Sequence, residues 1–285
     1  MDFYKIYKPI TATPFARDKS YVEIEPCEAL KPYIRCFWGS ESPYVDEPGE
    51  EPDKLVVPDT CMDIIFRTNF TDNTQESGFC GMNDVAFVSG GRSFEKYAEK
   101  SIFGIRFYAW SAVLFSKESL RNTKNGFYDA GQHFPQIKKE LEQHLFEVVN
   151  LKDRVRIAEK VLLRLLGNRF YNSLVMEAVG EILKRKGNLK ALELSREMHV
   201  SERQLERVFK EYIGISPKQL SSLVRYQYLW KDICVNPNLR ILDEVYRYGY
   251  TDQAHLLHDF KRFHTMSLTE AKEHALSDVG FLQEG

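Results

Sequence analysis

Three basic side chains near the C-terminal end of the chain, Arg203, Arg207 and Lys210, are four and three residues apart. Residues at that spacing lie on one side of a helix. The apolar residues of the same segment recur with the helical period on the other side: Leu205, Val208, Phe209 and Tyr212. Guanidinium and ammonium groups on an exposed stripe bind phosphate oxygens, and an arginine can also donate two hydrogen bonds to guanine. The stripe therefore indicates a helix that binds nucleic acid, through phosphates, bases or both.

The segment before this stripe predicts a short helix followed by a tight turn. Its buried side is supplied by apolar residues at helical spacing: Leu189, Leu192 and Met198. His199-Val200 forms the turn, and the second helix begins at Ser201. Ser201 and Gln204 make a capping box, in which each side chain satisfies a backbone N–H at the helix start. The whole is a helix-turn-helix unit.

A long helix follows this unit. Gly214 stands just past the end of the stripe-bearing helix, where a left-handed residue is expected. Ser216-Pro217-Lys218-Gln219 then provides a capping residue, a proline at the first helical position and a glutamine at the third. The new helix is predicted to run to about Val235.

A second helix-turn-helix unit repeats the plan about 50 residues later. Its first helix buries Ile241, Val245 and Tyr248 and stops at Gly249, and Thr251 or Asp252 caps the next helix. That helix buries three apolar residues: Leu256, Phe260 and Phe263. The helix between the units spans about 28 Å at about 1.5 Å per residue. Two recognition helices that far apart could enter successive major grooves, which lie about 34 Å apart.

These residues resemble the DNA-binding domain of the AraC/XylS family. The matching motifs are Leu205-x-x-Val208-Phe209-Lys210, Gly214-Ile215-Ser216-Pro217, Gly249-Tyr250-Thr251-Asp252-Gln253-Ala254-His255 and Phe260-Lys261-x-Phe263. The resemblance covers about a third of the chain, from Leu189 to His274. In that family the second helix of each unit reads bases, which implicates Arg203, Glu206 and Arg207, and then Ala254, His255 and His258. With their neighbours, the predicted DNA-binding residues are Ser201, Arg203, Gln204, Glu206, Arg207, Lys210, Gln253, Ala254, His255, His258 and Lys261.

The sequence departs from the family pattern at several positions. His199 stands where the turn usually has glycine, and Tyr246 is assigned to the position of a small residue that lets two helices approach. His264-Thr265 replaces the usual glycine after Phe263, and Leu268 replaces a proline. Most of these changes concern the second unit, and they bear on its contribution to base reading.

The N-terminal part has the texture of a β-rich domain. Short β-prone runs lie at 21–24, 33–38, 55–57, 62–68, 85–89 and 101–107, and an acidic, turn-rich loop is expected at 42–54. Together with the resemblance, this predicts an α+β protein: a β-rich N-terminal domain of the cupin sort, a helical linker and an all-α C-terminal domain with two helix-turn-helix units. The predicted boundaries are 1–133, 134–168, 169–276 and a tail at 277–285.

Two N-terminal patches, 57–66 and 104–110, resemble a poorly defined domain that accompanies this DNA-binding module in part of the family. By analogy it senses a small-molecule effector. Aromatic residues would then wall an apolar pocket and charged residues would fix the polarity of the ligand: Trp38, Phe66, Phe107 and Trp110, with Asp59, Asp63 and Arg106. In the alternative interpretation the aromatic residues are core, and Asp59 and Asp63 cap a turn and pair with Arg106.

Composition limits the remaining classes. Residues 168–275 carry 17 Lys and Arg against 14 Asp and Glu, within a net charge of −2 for the chain. This asymmetry agrees with DNA binding. No long apolar run or signal-peptide pattern predicts a membrane partner, so a cytoplasmic protein is expected. The five cysteines lack the close pairs of zinc sites and predict free thiols, with no metal and no cofactor. Phosphate-loop, dinucleotide, zinc-protease and serine-hydrolase motifs are missing, so no enzyme is predicted.

The linker is predicted as two helices, 135–150 and 151–167, followed by a further helix at 172–186. The second linker helix carries an apolar seam that suits pairing with the chain's own β-rich domain or with a second copy: Leu151, Val155, Ala158, Leu162 and Leu165. The sequence thus predicts a dimeric regulator that binds promoter DNA under control of an effector or of dimerisation. The alternatives are a ligand-free scaffold that recruits a protein partner such as RNA polymerase, and, third, an enzyme that uses Asp59 and Asp63.

Overall fold

The computed structural model describes residues 2–10, 21–45, 54–89, 98–167, 171–236 and 239–277. Most of the predicted acidic loop and of the predicted tail lies outside these residues. The strands are β1 (Val22–Ile24), β2 (Ile34–Gly39), β3 (Lys54–Val56), β4 (Cys61–Asn69), β5 (Thr74–Cys80), β6 (Phe87–Ser89), β7 (Lys100–Tyr108) and β8 (Phe127–Asp129). The helices are α1 (Phe3–Ile6), α2 (Ala130–His133), α3 (Pro135–Glu147), α4 (Leu151–Leu166), α5 (Ser173–Lys184), α6 (Ala191–Glu197), α7 (Glu202–Tyr212), α8 (Pro217–Val235), α9 (Ile241–Arg247), α10 (Gln253–His264) and α11 (Leu268–Ser277).

The N-terminal part is built on an antiparallel sheet with the strand order β1-β2-β7-β4-β5-β8, and β3 pairs with β6 separately. The long strands β4 and β7 form its centre, where Ile64 lies opposite Ile105 and Asp63 opposite Arg106. Because side chains alternate along a strand, these two pairs face opposite sides of the sheet. One side is therefore apolar, and the other carries charge.

The apolar side of the sheet is covered by α2, α3 and α4. Ile64, Ile105 and Phe107 are fully buried, and the Phe107 ring stacks on Phe134 with centroids 6.0 Å apart. Helix residues complete this layer with no exposed surface: Ile137, Leu141, Leu145 and Ala158. The predicted seam of α4 is thus packed within the chain, where α4 contacts β2 and α3.

A buried arginine ties the linker to the sheet. Arg154 is 1% exposed, and its guanidinium donates to the carbonyl oxygens of Leu145 and Val148 and to Ser101 Oγ. All three acceptors are neutral, so burial lowers the pKa of Arg154 to about 10. The side chain joins the end of α3, the start of α4 and the start of β7.

The described residues of the C-terminal part form helices and no strand, and α8 covers the residues predicted for the helix between the two helix-turn-helix units. Ser216 and Gln219 form its capping box, in which Ser216 Oγ accepts from the Gln219 N–H at 3.2 Å and Gln219 Oε1 accepts from the Ser216 N–H at 2.9 Å. The predicted class, a β-rich N-terminal region followed by a helical part with two helix-turn-helix units, is confirmed. None of the described helices combines the length and the apolar composition that a bilayer crossing requires.

The two parts meet along α8 and the ends of the recognition helices. Gln227 of α8 is 2% exposed; it accepts from the Ile10 N–H at 2.8 Å and donates to the Pro58 carbonyl at 2.6 Å. Two loop N–H groups of the N-terminal part bond to the ends of α7 and α10. The pairs are Leu120 N–H to the Glu211 carbonyl at 2.9 Å and Ala86 N–H to the Phe263 carbonyl at 2.9 Å. The sheet and the recognition helices thus share one framework.

Candidate nucleic-acid interface

The first helix-turn-helix unit consists of α6, a turn and α7. At the turn, His199 adopts φ 53°, a left-handed conformation that usually favours glycine. Ser201 then caps α7, since its hydroxyl accepts from the Gln204 N–H at 3.2 Å. Leu205 and Phe209 are 1% and 0% exposed and fix the inner side of α7. The turn and cap therefore have the geometry that the sequence indicates.

The outer side of α7 carries the predicted DNA-binding residues. Ser201, Arg203, Gln204, Glu206 and Arg207 are all exposed, and Lys210 is half-buried. Two of the cations form ion pairs along the helix: Lys210 Nζ lies 2.7 Å from Glu206 Oε1, and Arg207 Nη1 lies 3.7 Å from Glu211 Oε2. Pairs of this kind between exposed side chains are weak, about 0.3–0.5 kcal/mol. Phosphate groups can therefore displace the glutamates at little cost.

The second unit consists of α9, a turn and α10. Gly249 adopts φ 65° at the turn. Asp252, rather than Thr251, caps α10, since its carboxylate accepts from the His255 N–H at 2.8 Å. Leu256, Phe260 and Phe263 are buried, as the sequence predicts, and Asp259 and His264 of the same helix are buried with them. On the outer side, Gln253, Ala254, His258 and Lys261 are exposed and His255 is half-buried.

Three basic side chains of the second unit and of α8 surround one carboxylate, Asp259. Asp259 of α10 is 8% exposed, and its Oδ2 lies 3.1 Å from Arg225 Nη2 of α8. Arg262 lies 3.7 Å from Asp259 Oδ1, and His255 Nε2 lies 3.9 Å from Oδ2. The Arg225 guanidinium also lies over the Tyr250 ring, 4.1 Å from its centroid. This cluster fixes α10 on α8.

The departures from the family pattern have different outcomes in the structure. Tyr246 is 84% exposed, so the expectation that it occupies a crowded helix contact is wrong. The preceding residue, Val245, is 4% exposed and packs between the helices instead. Thr265 follows the last residue of α10 and adopts φ 64°. Threonine thus occupies a left-handed position that usually has glycine, at a cost in conformational energy. His264 is buried, and its Nδ1 pairs with the Tyr226 hydroxyl at 2.8 Å.

In the N-terminal part, the structure brings four predicted effector residues together on the charged side of the sheet. Arg106 lies 3.0 Å from Asp63 Oδ1 and 3.5 Å from Asp59 Oδ2, and Trp38 Nε1 donates to Asp63 Oδ1 at 2.9 Å. Asp59 also caps a turn, since its Oδ1 accepts from the Cys61 N–H at 3.0 Å. Burial raises the pKa of Asp59 to about 6, and the Arg106 charge opposes that rise.

The three other predicted effector residues lie elsewhere. Phe66 and Phe107 are 1% and 0% exposed on the apolar side of the sheet, where Phe66 packs on Phe103 with centroids 6.3 Å apart. Trp110 stacks on Tyr108 with centroids 4.5 Å apart. A single pocket walled by all seven residues is therefore excluded, because strand alternation sends Phe66 and Phe107 away from Arg106. The interpretation of these three aromatic residues as core agrees with the packing.

The cysteines are free thiols in the structure. Burial raises the pKa of Cys61 well above its ordinary value, and the neighbouring Asp59 carboxylate adds to that rise. Within the described ranges, no group of three metal-binding side chains converges.

Sequence reasoning missed the polar residues that connect the elements. Gln227 and Arg225 lie on α8, a helix read only for its caps and length, and Arg154 lies inside an apolar seam. Each makes a hydrogen bond to a residue more than 30 positions away in the chain: Gln227 to Ile10, Arg154 to Ser101 and Arg225 to Asp259. The sequence signal that could have found these residues is a polar side chain on the buried face of a predicted helix.

The structure is similar to solved structures of ToxT from Vibrio cholerae. ToxT from Vibrio cholerae O395 is 12% identical in sequence, and the alignment covers 79% of the present protein and 95% of ToxT with a TM-score of 0.38. For the P21 crystal form of Vibrio cholerae ToxT, the identity is 12%, the alignment covers 90% of the present protein and 99% of ToxT, and the TM-score is 0.39. For the ToxT structure with bound unsaturated fatty acid, from Vibrio cholerae strain SCE256, the identity is 8%, the alignment covers 90% of the present protein and 96% of ToxT, and the TM-score is 0.36. No curated protein matches the chain.

Two family models match separate parts of the chain. A helix-turn-helix domain matches residues 194–274, which include α7, α8, α9 and α10. A domain of unknown function, DUF6597, matches residues 22–128, which contain the antiparallel sheet. The protein thus carries an AraC-type helix-turn-helix domain, the DNA-binding module of transcription regulators, behind an N-terminal domain of the DUF6597 family.

Proposed function

We propose that the protein is a sequence-specific regulator of transcription in which α7 and α10 read two adjacent major grooves of promoter DNA. The observation that carries this proposal is the arrangement of the two recognition helices. Each buries its apolar side against the helical core and leaves the predicted DNA-binding side in solvent. Both are attached to α8, whose 19 residues match the separation of successive grooves to within about 6 Å.

The two recognition helices supply different chemistry to the DNA. Arg203 and Arg207 on α7 offer planar donors that suit guanine O6 and N7. His255 and His258 on α10 offer ring nitrogens, and Lys261 offers a cation for a phosphate. Affinity is expected to depend strongly on salt, since phosphate contacts release counterions.

The N-terminal domain is proposed to control how the recognition helices are presented. The polar cluster of Trp38, Asp59, Asp63 and Arg106 is the proposed effector site, and Asp59 follows Pro58 directly in the chain. Since the Pro58 carbonyl bonds to Gln227 of α8, a ligand that displaces Asp59 from Arg106 would act on the helix that joins both reading units. A homodimer in the cytoplasm is part of the proposal, and RNA polymerase is a proposed partner.

The first test is selection of duplexes from a random pool, at two salt concentrations and with scrambled competitor. The expected result is a site with two half-sites one helical turn apart, preferred over scrambled DNA by about a thousandfold or more. Arg207→Ala should lower that preference, while Arg156→Ala, which removes an exposed arginine of α4, is the matched control. Recovery of no preferred sequence would refute the proposal.

A second test addresses the effector site. Candidate small molecules are screened by the shift they cause in the melting temperature. A true effector should lose its shift in Trp38→Phe, which removes the donor to Asp63, and keep it in Glu76→Gln, an exposed change on the same sheet. An equal shift in both variants would place the ligand elsewhere.

A further inference from the structure

Arg225 lies in the middle of α8, the helix between the two helix-turn-helix units. Its side chain is 14% exposed, between the Tyr250 ring and the carboxylate of Asp259. The turn before α6 closes over its backbone, since a Cβ at Gly187 would meet Arg225 N at 2.6 Å. The backbone of Arg225 is therefore closely packed, and its guanidinium lies between Tyr250 and Asp259.

Asp259 requires this partner. Its side chain is 11% exposed, and a carboxylate buried to that extent is destabilised unless a cation or hydrogen-bond donors compensate it. Arg225 supplies the shortest ionic contact, 3.1 Å, whereas Arg262 lies at 3.7 Å with half of its side chain in solvent. Without Arg225, Asp259 would be left with the half-exposed Arg262 at 3.7 Å and with His255, one helical turn away at 3.9 Å.

His255 is held in one orientation next to this ion pair. Its ring packs edge-on against Tyr250 with centroids 5.3 Å apart, and Nδ1 faces the Thr251 N–H at 3.4 Å. A neutral imidazole that accepts at Nδ1 carries its proton on Nε2. At 3.9 Å, Nε2 is too far from Asp259 for a hydrogen bond, so its N–H is available to another acceptor.

We propose that Arg225 is a positioning residue for base reading by the second helix-turn-helix unit: by binding Asp259, it keeps that carboxylate from capturing His255, whose Nε2–H then reaches acceptor atoms in the major groove. Guanine O6 and N7, adenine N7 and thymine O4 are acceptors of this kind. The inference rests on the proposed function, because it concerns how α10 reads DNA. It assigns part of the base specificity to a residue that does not touch DNA.

The experiment compares wild type with Arg225→Met, Asp259→Asn and the double variant. Each protein is titrated with duplexes that carry the selected site intact, with its first half-site scrambled, or with its second half-site scrambled. Arg225→Met should reduce discrimination at the second half-site roughly tenfold and leave the first unchanged, as expected for loss of one good base contact. Arg247→Met, which removes an exposed cation of α9, is the control and should leave both unchanged.

The double variant separates positioning from simple packing. If Arg225 acts by neutralising Asp259, Arg225→Met with Asp259→Asn should recover discrimination at the second half-site to within about twofold of wild type. If Arg225 only packs on Tyr250, the double variant stays as poor as Arg225→Met, and the inference is overturned. His255→Ala should abolish the same discrimination, with no further loss when Arg225→Met is added.

A conservative variant covers the case in which Arg225→Met fails to fold. Arg225→Lys keeps a cation next to Asp259 and should retain most of the second half-site discrimination, whereas Arg225→Gln should lose it. Melting temperatures of all variants report folding. If wild type selects no half-site at all, the proposed function fails; if wild type selects both and the Arg225 variants do too, only this inference fails.

Discussion

The first and second helix-turn-helix units use the same plan with their strained positions exchanged. The first unit has a histidine, His199, at the left-handed turn and a glycine, Gly214 at φ 85°, after its recognition helix. The second unit has Gly249 at the turn and Thr265 after its recognition helix. A left-handed backbone position is thus required by the fold, whereas glycine is only the residue that meets the requirement at the least cost.

The units also differ in how they hold their charges. On α7 the carboxylates of Glu206 and Glu211 are partly exposed to solvent, next to the cations that are proposed to bind DNA. On α10 the carboxylate of Asp259 is buried and faces α8. The first unit can therefore exchange its ion pairs for phosphates, while the second keeps its ion pair as part of the core.

The largest effect is expected at the glycine of the first unit. A Cβ at Gly214 would lie 2.9 Å from the Leu120 carbonyl and from Thr123 Oγ1, in addition to the left-handed strain. Gly214→Ala should reduce the free energy of unfolding by roughly 2–3 kcal/mol. Gly249→Ala should cost only about 1 kcal/mol, because the nearest atoms belong to the exposed side chain of Asn188. Urea denaturation measures both, and equal losses would contradict the comparison.

The next effect concerns base reading by the first unit. Arg207→Ala should cost about 1–3 kcal/mol on the selected site and relax the base preference at one position, if Arg207 reads a base. Titration of the variant with single-base-pair variants of the site is the measurement. A uniform loss on every duplex would reduce Arg207 to a phosphate contact, and the salt slope would then fall by about one.

The same chemical change on the two recognition helices should have opposite results. Glu206→Gln removes a negative charge from the side of α7 that is proposed to face DNA, and it frees Lys210, so DNA binding should strengthen by about 0.5 kcal/mol at low salt. Asp259→Asn leaves Arg225 partly buried without a carboxylate, so binding to the second half-site should weaken by about 1 kcal/mol. Fluorescence titrations at two salt concentrations measure the DNA affinity of both variants. A change in affinity of the same sign in both variants would show that the two carboxylates are equivalent.

The smallest effect is a gain in stability at the positions where glycine is missing. His199→Gly and Thr265→Gly relieve the left-handed strain, and each should raise the free energy of unfolding by about 0.5 kcal/mol. The gain is small because glycine also increases the entropy of the unfolded chain, which opposes it. Melting temperatures should rise by a few degrees at most. A fall in either variant would mean that the side chain makes contacts that outweigh the strain.

Local patterns were sufficient to predict most of the helical part. The Ser216-Pro217 start and the Val235 end of α8 are as predicted, because caps and apolar period are properties of neighbouring residues. Strands β5 and β8 were not predicted, since Thr74–Cys80 has few β-branched residues and owes its place to pairing with β4. The contacts of Gln227, Arg154 and Arg225 depend on which distant segments the fold brings together, and sequence periodicity holds no information about that.

The candidate site divides in the same way. The exposed faces of α7 and α10 follow from helical period, and the predicted set lies there, apart from half-buried Lys210 and His255. The predicted effector set rests on residue types in the patches 57–66 and 104–110, together with Trp38, so it includes residues from both sides of one sheet. Alternation along β4 and β7 sorts it, with Asp63 and Arg106 on one side and Phe66 and Phe107 on the other.

If α7 and α10 read DNA as proposed, the loop N–H groups that bond to carbonyls near the C-terminal ends of these helices should fix the spacing of the half-sites that the protein accepts. Because Leu120 and Ala86 belong to the same domain, the two bonds set the distance between the far ends of the reading helices. Promoters recognised by the intact protein should then tolerate little variation in the number of base pairs between half-sites. A C-terminal fragment joined to another sensor domain would keep its base preferences but lose these two hydrogen bonds. It should therefore accept half-sites with altered spacing.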